Sequence, residues 1–96
     1  MGDNIANIPD NMMLAQNWPN PFNPATTIDL YLPFAGQAKL EIYNISGQKI
    51  VTLTENYLEA GHHSFDWNAS EFASGVYLYR LEFDSRTITK KMTLLK

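Results

Sequence analysis

The chain has 96 residues, a net charge of −3 and no cysteine, enough for one domain and incompatible with disulfides, thiolate metal sites or a cysteine nucleophile. That charge is too small for a nucleic-acid footprint, and no apolar run reaches the roughly 18 residues of a membrane-spanning helix. Five Tyr, five Phe and two Trp, without long Ala, Leu, Glu and Lys runs, favour strands over helices.

Residues 1–12 read as a start segment and linker. Asp, Asn, Pro and Gly dominate there, no periodicity appears, and the polar residues after Met1-Gly2 are not those of a signal peptide. Met1-Gly2 reads as the start of an excised fragment. Residues 13–96 read as the folded domain, opening with a short strand around Met12-Met13-Leu14-Ala15. The segment Asn17-Trp18-Pro19-Asn20-Pro21-Phe22-Asn23-Pro24 cannot sit inside a ladder, because its prolines lack amide donors. It is expected to form a rigid extended crossing, pinned to the core by Trp18 and Phe22.

Clean alternation follows. Ile28, Leu30 and Leu32 share one face of a strand ended by Pro33-Phe34-Ala35-Gly36. Ala38, Leu40 and Ile42 alternate with Lys39, Glu41 and Tyr43, and Asn44-Ile45-Ser46-Gly47 supplies a turn. Lys49 to Thr54 is a third strand, where Ile50 and Leu53 fall on opposite faces and predict either a bulge or burial on both sides. After a turn at Glu59-Ala60-Gly61, His63, Phe65 and Trp67 oppose His62, Ser64 and Asp66. Asn68 to Ser74 is polar, with one helical turn expected around Phe72. Gly75 opens the strongest strand, with Tyr77, Tyr79, Leu81 and Phe83 inward, and Asp84-Ser85 turns the chain into Arg86 to Leu95. About seven short strands without a convincing helix predict an all-β antiparallel sandwich of Ig-like or fibronectin-like type.

No catalytic constellation is visible. Adjacent His62 and His63 point to opposite faces of one strand and cannot chelate one ion together. Ser46 lacks a G-x-S-x-G elbow, and there is no phosphate loop, H-E-x-x-H or calcium loop. Asn44-Ile45-Ser46 and Asn68-Ala69-Ser70 fit the glycosylation triplet. Trp18, Tyr31, Tyr43 and Tyr57 are candidates for an outward, sugar-stacking platform, but their spacing gives no obvious row, and the reading adopted is that they cover the core rim. The expectation is a non-enzymatic domain without cofactor or metal.

The run Asn17 to Ile28, then Leu32-Pro33 with Gly36, Ile42 to Ile50, Ala60-Gly61-His62-His63 with Trp67, Gly75-Val76-Tyr77, and Lys91-Met92 to Lys96 occur in the order of a known family. Over about residues 13–96 the chain resembles the type A C-terminal sorting domains of the bacterial type IX secretion system and the related flagellar-hook-cap Ig-like domains. The motif positions are Pro19, Asn20, Pro21, Phe22, Tyr43, Gly47, Gly75, Tyr77 and Lys91; Trp18 replaces the usual Tyr, and Asn44 the usual Asp. The resemblance implies a sorting module at the C-terminus of a larger cargo, carried across the outer membrane of a Gram-negative-type bacterium by a translocon. It further implies a surface peptidase and release of the cargo or its attachment to surface polysaccharide. Lys90, Lys91 and Lys96, gathered in the final hairpin, are the candidate recognition surface. The alternative is an accessory Ig-like spacer or carbohydrate-binding module of an extracellular enzyme.

Overall fold

In the computed structural model, which describes residues 11–96, the alternating segments form β1 (Met13–Leu14), β2 (Ala25–Leu32), β3 (Gly36–Asn44), β4 (Lys49–Leu58), β5 (Gly61–Asn68), β6 (Gly75–Phe83) and β7 (Arg86–Leu94). Residues 1–10 of the expected start segment lie outside the described residues. One sheet has the order β1-β2-β5 and the other β4-β3-β6-β7, with antiparallel neighbours throughout. This is the expected all-β sandwich.

Period-two patterning fills the space between the sheets. Ile28, Leu30 and Leu32 of β2 pack in one core with Leu40 and Ile42 of β3, Tyr79 and Leu81 of β6, and Met92 and Leu94 of β7. All are buried, each apolar side chain contributing roughly 1.5–3 kcal/mol by leaving water. The core begins at Met12, buried beside Leu14. Of the two alternatives for β4 the bulge is the one formed: the β3–β4 ladder shifts register twice, between Leu40 and Glu41 and between Ile42 and Tyr43. Leu53 and Ile50 are the extra residues, which lets Ile50, Val51 and Leu53 all pack against the core from one strand.

The turns follow side-chain chemistry. Asp84 and Ser85 have φ of 53° and 61°, the left-handed pair of a two-residue type I′ hairpin that matches strand twist. Gly47, with φ of 87°, closes the β3–β4 turn, where Asn44 Oδ1 accepts the Ser46 and Gln48 N–H groups at 3.0 Å each. Asn68 Oδ1 likewise accepts the Ser70 N–H at 2.9 Å, so both glycosylation triplets build side-chain turns. The one turn expected around Phe72 is a single hydrogen-bonded turn, closed by a 2.9 Å bond from Phe72 N–H to Ala69 C=O, and Gly75 then opens β6.

The proline-rich segment joins the two sheets instead of entering either as a strand. The amides that prolines cannot offer come from Trp18 and Phe22. Trp18 exchanges two 2.9 Å backbone bonds with Thr27 of β2, and Phe22 bonds to Thr93 and Leu95 at the β7 edge at 3.0 and 2.9 Å. The Trp18–Pro19, Asn20–Pro21 and Asn23–Pro24 peptide bonds are cis. Phe22 is buried against Trp67, ring centroids 5.8 Å apart, as expected of a pin. Trp18 is not a pin: it is 76% exposed. Directly opposed antiparallel residues project to the same side, and Thr27 faces outward, so Trp18 does too.

Candidate functional site

Strand register brings most of the motif positions to one end of the sandwich. Asn44 lies opposite Tyr77, Gly75 opposite Leu94, Phe22 opposite Leu94, and Ala25 opposite Asn68. The Gly47 turn, the Asn68–Ser74 loop, the proline-rich arc and the last residues therefore converge there. An aromatic cluster closes this end: Trp67 stands 5.8 Å from Phe22, 5.4 Å from Phe72 and 5.5 Å from Tyr77 between ring centroids.

Buried hydrogen bonds hold the arc in place. Tyr79, on β6, sends its hydroxyl proton to Ala15 C=O at 2.7 Å and accepts the Asn17 N–H at 2.8 Å. Burial pushes its phenol up to about 12, even though the Asn17 bond favours the ionised form. Asn17, 1% exposed, donates through Nδ2 to Thr26 Oγ1 at 2.9 Å and to Pro19 C=O at 3.1 Å. Thr26 also donates to Pro19 C=O, so two polar side chains fix the bend before the second proline. Asn20 Oδ1 accepts the Thr93 N–H at 3.0 Å. The Tyr77 hydroxyl donates to Ala73 C=O at 2.6 Å, tying the start of β6 to the loop before it.

The candidate lysines do not form one cluster. Lys90 lies opposite Tyr79 on the core-facing side of β7, at its rim, whereas Lys91 lies opposite Leu78 on the outer side. Lys91 C=O accepts the Gln16 side-chain amide at 2.8 Å. Lys96 folds back: its Nζ donates to Ser70 C=O at 2.6 Å and Phe72 C=O at 2.8 Å, and its N–H donates to Ser74 Oγ. These loop contacts depend on tertiary structure and leave no periodic signal in the sequence.

Tyr43 belongs to a charged cluster on the outer face of the four-stranded sheet. Its hydroxyl donates to Glu41 Oε1 at 2.6 Å and accepts from Arg80, whose guanidinium sits 4.5 Å above the ring. Alternation placed Glu41 on a solvent face, yet it is 3% exposed. The register shift sets Lys49 across from Tyr43, and Lys49 Nζ lies 3.2 Å from the Glu41 carboxylate. Burial alone would raise that carboxyl. The Tyr43 and Lys49 bonds and the nearby Lys39 charge outweigh burial and hold it below its ordinary value. The Tyr43 phenol is raised, chiefly because it donates to Glu41. Among the described residues, no three His, Asp or Glu side chains come together as a metal set.

The family model described as "Secretion system C-terminal sorting domain" matches residues 16–94. Among solved structures the chain is similar to PorZ, a surface component of the type-IX secretion system of Porphyromonas gingivalis. The identity is 19% and the TM-score 0.60, over 91% of this chain and 12% of that one, a likeness of fold. No curated protein matches the chain.

Proposed function

The chain belongs to the family of secretion system C-terminal sorting domains, and from that premise we propose how it serves its cargo. Its role is that of a type IX sorting signal, and proteins that carry such a domain are exported to the cell surface or beyond. The domain rides at the C-terminus of a larger cargo, engages the outer-membrane translocon already folded, and takes no part in catalysis. A surface peptidase then separates it, and the cargo is released or joined to surface polysaccharide. The family match over residues 16–94 carries this reading.

The translocon reads the final hairpin through Lys90, Lys91 and Lys96. Clustering at one point is not required: Lys90 and Lys91 flank the β7 edge from its two faces, and Lys96 stands at the strand's end. Two experiments test this. A reporter fused ahead of this chain should leave the cell in a competent host and stay inside the translocon-null strain; retention in both would overturn the sorting role. Lys90→Glu with Lys91→Glu should abolish export while the purified domain melts normally. Undiminished export of that variant would remove the lysines from recognition.

A further inference from the structure

The outer face of the three-stranded sheet is unused by the sorting reading. Three cross-strand rows cross it: Met13–Tyr31–His62, Asp29–Ser64 and Trp18–Thr27–Asp66. The Tyr31 and His62 rings lie 5.0 Å apart and, with Met13 and Asp29, line a shallow groove of about 280 Å³. Trp18, four residues along the strand from Tyr31 by way of Thr27, stands roughly 14 Å away. Between these ends Asp29 accepts the Ser64 hydroxyl, and Asp66 accepts the Thr27 hydroxyl at 2.7 Å. The rim-covering expectation thus fails for this face. Trp18 and Tyr31 share it, while Tyr43 and Tyr57 belong to the other sheet.

We propose that this face binds a neutral, linear polysaccharide, with Trp18 and the Tyr31–His62 pair as stacking platforms and Asp29 and Asp66 as hydroxyl acceptors. Sugar rings present apolar C–H faces and a rim of hydroxyls, which suits flat amphipathic rings separated by oriented polar groups. The charge pattern selects the occupant. β2 and β5 carry Asp29 and Asp66 and contribute no lysine or arginine, so anionic lipids, nucleic acids and acidic glycans are repelled. A second copy docked face to face would crowd four carboxylates into the centre of its own interface. The site is separate from export and is measured without it.

Titration of the 96-residue chain with cellohexaose and with mannohexaose, followed by tryptophan fluorescence, tests this. Trp18 reports from the face, and Trp67, 4% exposed, is the internal reference. A saturable change with at least one hexasaccharide is expected, weakened roughly tenfold in Trp18→Ala and in His62→Ala but not in Tyr57→Ala. Circular dichroism should show all three variants folded. No saturable change with either sugar, or equal affinity in Trp18→Ala, overturns the proposal. Sedimentation showing a dimer that Trp18→Ala abolishes would assign the face to a second copy and overturn it equally.

Discussion

Tyr79 and Glu41 show how a single polar atom inside this sandwich decides local order, and each has a pH signature. Tyr79→Phe removes a donor and an acceptor at once, leaving Ala15 C=O and Asn17 N–H without their partner at a cost of roughly 1–3 kcal/mol. The phenol ionises near its ordinary 10.0 when unfolded and about 12 when folded, so the native state holds the proton longer. Stability is full below pH 10 and falls as pH rises toward 12. Urea titrations of both forms across that range should show the variant with a shallower alkaline decline. Glu41 has the opposite sign. Its carboxyl is held below the ordinary 4.5, so its contribution is full above that value and disappears as pH drops through the folded one. Glu41→Gln should lose less stability between pH 5 and pH 3 than the parent chain, and equal slopes would contradict the bonding seen around this carboxylate.

At the level of elements, the strands were legible because one face of each is buried, so alternation records which side chains leave water. β2, β3, β5 and β6 show it directly, and even the bulged β4 was announced by Ile50 and Leu53 falling out of phase. Features set by another element were not legible. The outward pose of Trp18 follows from its bridge to Thr27, the burial of Glu41 from a shifted register, and the loop contacts of Lys96 from the position of Asn68–Ser74. The Asp84-Ser85 turn shows how local and tertiary demands combine. Strand twist requires the left-handed conformation at both positions, and Ser85 adopts it without the freedom that glycine has. Ser85→Gly should therefore raise stability by about 0.5–1 kcal/mol, seen as a higher urea midpoint with an unchanged slope.

For the molecule as a whole, the proline-rich arc fastens one sheet to the other, and Phe22 is the residue on which that fastening turns. Its ring fills the aromatic cluster at the closed end, and its backbone bonds on both sides to the β7 edge. Covering part of that edge also withholds it from intermolecular pairing. Phe22→Ala removes about 3–5 kcal/mol, which approaches half the stability of a domain this small. The melting temperature should drop on the order of 15–30 °C. Hydrogen exchange should localise the damage: the Thr93 and Leu95 amides, which donate to Asn20 and Phe22, lose protection well before the central amides of β3 and β6. Uniform loss across all strands would mean that arc and sandwich unfold as one unit. Export of the two kinds of variant then separates folding from recognition. A cargo fused to the Phe22→Ala domain should regain export at low growth temperature as the fold recovers, whereas the Lys90→Glu, Lys91→Glu domain, folded throughout, should not.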